Sequence, residues 1–148
     1  MHIVLVEPEI PHNTGAAGRL ALATGATLHL VKPLGFSLDE KSVRRAGLDY
    51  WKDVDLHVWE NFDDLLAAHP GARLWLLSTK AKNSLWDTSF AQDDFLVFGP
   101  ETRGLPEAWL DHRALRIPMQ TDSTRSLNLA TAVAIVLYEA QRQVGTLA

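Results

Sequence analysis

The sequence predicts an α/β fold: a mainly parallel sheet with helices on both faces. Short apolar, β-branched runs recur along the 148 residues, and stretches with helical spacing and helix stop signals lie between them. No repeat, low-complexity tract or linker divides the chain, so residues 1–148 read as one domain with a real core.

The elements follow in order. Ile3–Val6 is the first strand. Asn13 or Thr14 can cap a helix that runs to Thr24 and stops at Gly25. Thr27–Val31 is a second strand, and Asp39 begins a helix to about Ala46, ended by Gly47. Asp55–Trp59 is a weaker strand, suited to an edge. Asn61 caps Phe62–His69, which Pro70-Gly71 stops. Leu74–Leu77, Phe95–Phe98 and Leu115–Ile117 complete the strands. Lys80–Asp94 is polar and aperiodic, a loop long enough to expect a function. Pro106–Asp111 is a short helix-like segment. The last helix spans about Ser126 to Gln143, with Leu129, Ala132, Val133, Val136, Leu137 and Ala140 at three- and four-residue spacing before Gly145.

Composition narrows the function. Hydrophobic residues make up 47% and charged residues 22%, as in a globular protein. The absence of cysteine excludes disulfides and thiolate zinc sites and fits a reducing cytoplasm. Met1–Val6 lacks the basic start and the length of a signal peptide, and no apolar run matches a membrane span. Six scattered histidines show no metal-ligand spacing; His2, His29 and His57 fall in strand-like runs and read as structural. A net charge of −4 argues weakly against nucleic acid, because binding depends on where cations sit.

Four segments concentrate chemistry. Phe98-Gly-Pro-Glu101-Thr-Arg103-Gly104-Leu-Pro106 places an acid and a base in a glycine-rich turn at the carboxyl end of a strand, where α/β proteins bind ligands. Its plainer alternative is a tight turn with a Glu101–Arg103 surface pair. Pro11-His-Asn13-Thr-Gly15-Ala-Ala-Gly18-Arg19 offers small residues and free amides at a helix start, without the dinucleotide or Walker spacing. Its alternative is a tightly packed helix with a surface Arg. Ile117 to Asn128 is a polar loop before the last helix, in which Ser123, Ser126 and Asn128 are candidate caps. Lys41 to Lys52 gathers Arg44, Arg45, Lys52, Tyr50 and Trp51, cations for phosphates and aromatics for bases, or else a solvated helix followed by a packed Tyr-Trp pair.

Taken in order, these segments resemble the SPOUT methyltransferases over nearly the whole chain. Asn13-Thr-Gly-Ala-Ala-Gly-Arg19 is similar to the first motif, Phe98-Gly-Pro-Glu-Thr-Arg-Gly104 to the second, and Ile117-Pro-Met119 with Ser126-Leu-Asn128-Leu to the third. Glu7-Pro-Glu-Ile-Pro11 and Arg44-Arg-Ala-Gly-Leu-Asp-Tyr50 resemble the tRNA (cytidine/uridine-34) 2′-O-methyltransferase family.

The resemblance implies a C-terminal deep trefoil knot, a homodimer, and methyl transfer from S-adenosylmethionine, without a metal, to the ribose of the wobble nucleotide in the tRNA anticodon loop. It implies a cofactor pocket of Leu77, Gly99, Ile117, Met119, Ser126 and Leu127. Arg19, Asn13, Glu101 and Asn128 become the catalytic set, and Arg44, Arg45, Tyr50, Lys52 and Arg103 the RNA contacts. A guanidinium is a poor resting base, so Arg19 suits charge placement, with water or Glu101 taking the proton. Arg103 is either an RNA contact or an ion-pair partner.

Two departures stand out. Gly18 replaces a bulkier apolar residue before Arg19, which predicts a looser turn. The Gln120–Arg125 loop is one residue longer around Thr124. Methylation of another tRNA or rRNA ribose, and a non-catalytic ligand-binding domain, are the alternatives.

Overall fold

The computed structural model describes residues 1–45, 48–121, 124 and 126–147. Seven strands form one all-parallel sheet in the order β3-β2-β1-β6-β4-β7-β5. The strands are β1 His2–Val6, β2 Thr27–Val31, β3 Leu56–Trp59, β4 Leu74–Leu77, β5 Asn83–Ser84, β6 Phe95–Phe98 and β7 Ala114–Arg116. The helices are α1 Pro11–Thr24, α2 Glu40–Arg45, α3 Phe62–Ala68 and α4 Leu129–Val144. No helix among the described residues is long and apolar enough to cross a membrane.

The continuous apolar runs have the cause the sequence implied: β1 and β6 are covered on both faces. Ile3, Leu5, Leu96 and Phe98 pack with Ala17 and Ala21 of α1 and Val133, Val136 and Leu137 of α4. Val4, Val6, Phe95 and Val97 pack on the opposite side with Leu65 of α3. β3 is an edge strand, and its Val58 is exposed.

Several boundaries differ from expectation. α1 begins at Pro11, with Ile10 as its N-cap, so neither Asn13 nor Thr14 is the cap. Pro at the first helical position is preorganised and sacrifices no intrahelical bond. α2 begins at Glu40, with the Asp39 carboxylate accepting the Ser42 N–H; the expected stop at Ala46-Gly47 lies outside the described residues. α4 begins at Leu129, capped by Asn128, whose Oδ1 accepts the Thr131 N–H at 3.2 Å, so Ser126 precedes the helix. β7 sits one residue earlier than expected. Asn83–Ser84 adds a short strand inside the stretch expected to be a loop. Pro106–Asp111 forms a single 3-10 turn, Glu107–Trp109.

Gly18 tightens the fold rather than loosening it. A Cβ there would lie 2.6 Å from the Trp51 ring, so the missing side chain is the seat of a buried indole.

His2, His29, His57 and His69 gather with Trp59 and Phe95 in stacked and edge-on contacts. The Trp59 Nε1–H donates to His29 Nδ1 at 3.0 Å, which fixes that nitrogen as an acceptor. His29 Nε2 therefore carries the proton in the neutral ring and donates to His2 Nδ1 at 2.9 Å. Burial, and then the neighbouring charge of His2, pushes His29 down to about 3. Burial and the chain's amino terminus push His2 down to about 4. Both fall below the ordinary 6.5, so between pH 6.5 and these values the unfolded chain binds more protons. Stability is full above pH 6.5 and falls with acid. Denaturant unfolding is expected to lose up to about 1.4 kcal/mol per pH unit through His29 between pH 6.5 and 5. A flat profile in that window, or one unchanged in His29→Leu, would refute this.

Candidate active site

The carboxyl ends of the central strands open onto a cavity of about 620 Å³, within the usual range for a small-molecule site. Leu77 ends β4, Gly99 follows β6, and Ile117 and Met119 follow β7. Ser126 and Leu127 close it from the approach to α4. All of the residues expected to hold the cofactor thus line one space. Its walls combine aliphatic side chains with the backbone of a glycine turn and a helix entry, so it offers apolar surface beside hydrogen-bonding groups.

The turn after β6 is shaped by two glycines. A Cβ on Gly99 would lie 2.3 Å from the backbone of Gly104 and Leu105. Gly104 itself has φ +70°, and its N–H donates to the Pro100 carbonyl at 2.9 Å. This fold-back aims Glu101 at the start of α1. Its Oε1 accepts the Glu9 N–H at 2.9 Å, and its Oε2 accepts the Ile10 N–H at 2.7 Å and Asn13 Nδ2 at 3.2 Å. Glu101 thus anchors the entry to α1 through the N–H groups of Glu9 and the N-cap Ile10, and sets a negative charge near the positive end of the helix dipole.

The bonding continues beyond Asn13. Asn128 Nδ2 donates to Asn13 Oδ1 at 3.1 Å while Asn128 Oδ1 caps α4. Glu101, Asn13 and Asn128 therefore form a hydrogen-bonded bridge joining the turn after β6 to the first turns of α1 and α4. All of them border the cavity.

Arg19 stands apart. It is exposed on α1 and does not line the cavity; its guanidinium lies 5.1 Å from the centroid of the Tyr50 ring. Tyr50 is half-buried and donates its hydroxyl to the Gly15 carbonyl at 2.7 Å. Burial pushes that hydroxyl's pKa up, against the opposing pull of Arg19. Tyr50 and Trp51 are thus the packed pair, seated on Gly15 and Gly18. Arg44, Arg45 and Lys52 are exposed nearby, with Arg44 paired to Glu40.

Arg103 lines the cavity and pairs with Glu7 at 3.4 Å, not with Glu101. Of the longer Gln120–Arg125 loop, Asp122, Ser123 and Arg125 lie outside the described residues. Sequence reasoning missed two features of the rim. The Glu9 carboxylate accepts both the N–H and the hydroxyl of Thr102, which hold it below the usual range. Lys80, in the segment after β4, pairs with Glu107 at the cavity edge. Neither has a local sequence signal, because each partner lies far along the chain.

Known proteins are similar to nearly the whole chain. A tRNA (cytidine(34)-2′-O)-methyltransferase of Saccharophagus degradans is 49% identical over 150 residues, covering 97% of this chain and 96% of the relative. A solved structure concerned with 2-OH methylation of C/U34 on tRNA superposes with a TM-score of 0.88 at 48% identity, covering 96% and 94%. The SpoU methyltransferase AviRb from Streptomyces viridochromogenes, solved with the cofactor AdoMet, superposes with a TM-score of 0.81 at 29% identity, covering 97% of this chain and 60% of its own. The model of the SpoU rRNA Methylase family matches residues 1–138, and the chain belongs to that family.

Proposed function

We propose that this protein methylates the ribose 2′-hydroxyl of the wobble nucleotide, a cytidine or uridine at position 34, in the tRNA anticodon loop, using S-adenosylmethionine. The observation that carries this is the cavity at the strand ends, bordered by the Glu101–Asn13–Asn128 bridge, in a chain nearly half identical over its length to an enzyme so named. When bound, S-adenosylmethionine supplies an electrophilic methyl on a sulfonium. Leu77, Ile117, Met119 and Leu127 would enclose its apolar parts, and the backbone about Gly99 and Ser126 would hold its polar edges.

The chain's other groups align the acceptor and place charge. Glu101 already accepts three N–H donors, so it holds the site together, and the hydroxyl proton passes to water. Arg19 keeps its charge at any working pH and steadies the forming alkoxide and the adjacent phosphate. It lies off its own chain's cavity, which fits a homodimer in which the partner subunit's Arg19 completes the site. Arg44, Arg45, Lys52 and Arg103 supply phosphate contacts. Tyr50 supports Arg19 from beneath rather than stacking on a base. We also assign residues 1–148 to one cytoplasmic methyltransferase domain, with the superfamily's trefoil knot in its C-terminal part.

Incubation with total tRNA and labelled donor, then mass spectrometry, is expected to place the methyl on the ribose of nucleotide 34. A methyl at another tRNA or rRNA ribose would favour the superfamily alternative, and donor binding without transfer a non-catalytic domain. Arg19→Ala is expected to lower turnover at least about 100-fold, the range of a lost transition-state charge contact, while donor affinity stays within about twofold. Full turnover in that variant would remove Arg19 from the mechanism.

A further inference from the structure

A second cavity, of about 290 Å³, lies between the first turn of α1 and the segment carrying Phe36, Val43 and Leu48, with Trp51 behind it and Arg45 among its lining residues. Thr14 lines it and is 1% exposed. Among the described residues its Oγ1 is buried without a hydrogen-bond partner. A helical Thr normally returns its hydroxyl to the carbonyl four residues back. Here that carbonyl, of Ile10, already accepts the N–H groups of Asn13 and Thr14. The hydroxyl is left for something that enters the cavity.

We propose that this cavity binds one unpaired base of the substrate RNA, next to the methylated nucleotide. The proposal rests on the RNA reading above. Aromatic and aliphatic walls with a single buried hydroxyl suit a flat heteroaromatic ring that carries hydrogen-bonding groups on its edge. A purely apolar side chain would leave Thr14 unpaired, and a free phosphate would waste the apolar walls. Arg45 supplies a cation for the accompanying phosphate. Position supports the same ligand. Asn13 borders the larger cavity and Thr14 the smaller. Both cavities therefore border the first turn of α1, which places the smaller one beside the larger along this helix.

The test uses tRNA carrying 2-aminopurine at position 33 or 35, titrated with wild-type protein, Thr14→Val and Thr14→Ser. The base's fluorescence is expected to change on binding to wild type. Thr14→Val, which keeps the shape and removes the hydroxyl, is expected to bind at least tenfold more weakly. Its affinity for S-adenosylmethionine should not change and its melting temperature should not fall. Thr14→Ser is expected to bind as wild type does. A silent probe at both positions, or equal tRNA affinity in Thr14→Val, overturns the cavity assignment alone. Weak binding by both variants with lowered melting temperatures marks a packing role and overturns it too. If wild type binds no tRNA, the RNA reading fails and the cavity assignment falls with it.

Discussion

A Gly99→Ala variant is expected to lose at least about 100-fold in affinity for S-adenosylmethionine, equivalent to about 2.7 kcal/mol. The new Cβ would sit 2.3 Å from the Gly104 carbonyl carbon and the Leu105 nitrogen. Both are backbone atoms, so no rotamer change relieves the overlap. The turn can accept the methyl only by opening, which breaks the Gly104 N–H to Pro100 bond and withdraws Glu101 from α1. Overpacking of this kind costs about 1–3 kcal/mol of stability, or roughly 2–10 °C in a chain of this size. Calorimetric titration and thermal unfolding measure both effects. Wild-type affinity together with a wild-type melting temperature would show that the turn yields easily and does not shape the cavity.

Substitution of Glu101 separates two roles that the sequence left joined. If its carboxylate took the ribose proton, Glu101→Gln would abolish turnover while stability and donor binding stayed normal. The geometry predicts otherwise. Glu101→Ala strips the acceptor from the N–H groups of Glu9 and Ile10 and from Asn13. It is expected to lower stability by about 2–4 kcal/mol, the scale of charge-assisted bonds at a partly solvated helix start. It is also expected to weaken donor binding together with turnover. Glu101→Gln keeps one acceptor oxygen and should fall between the two. A stable, donor-binding Glu101→Gln with no turnover would return Glu101 to proton transfer.

The central strands were legible because burial on both faces writes itself as continuous apolar residues; Thr27–Val31, Leu74–Leu77 and Phe95–Phe98 end where those runs end. Asn83–Ser84 was not legible, because its strand character lies in backbone pairing to β7 and not in its side chains. The residues around the larger cavity were found through the order of three motifs, not through periodicity. The anchor at the entry to α1 was beyond reach, since Ile10 and Glu101 are 91 residues apart and nothing local pairs them. Gly18 was misread for a related reason. Propensity prices a helical glycine by its own flexibility, whereas here Trp51 fills the space the glycine leaves. Net charge carried little for the reason given from the sequence: a total of −4 says nothing of Arg44, Arg45 and Lys52 exposed along one stretch.

The strand order has a consequence for how the protein is made. β1 pairs with β2 on one side, and its other side waits for β6, whose first residue is Phe95. On the ribosome, the growing chain therefore carries an unpaired apolar strand edge until more than half of its residues have emerged. Such an edge is a template for unwanted pairing. The strand that covers it is also the one whose following turn anchors the entry to α1 and shapes part of the larger cavity. Ile117, Met119, Ser126 and Leu127 complete that cavity only later, so the β1 edge is protected before the cavity is closed.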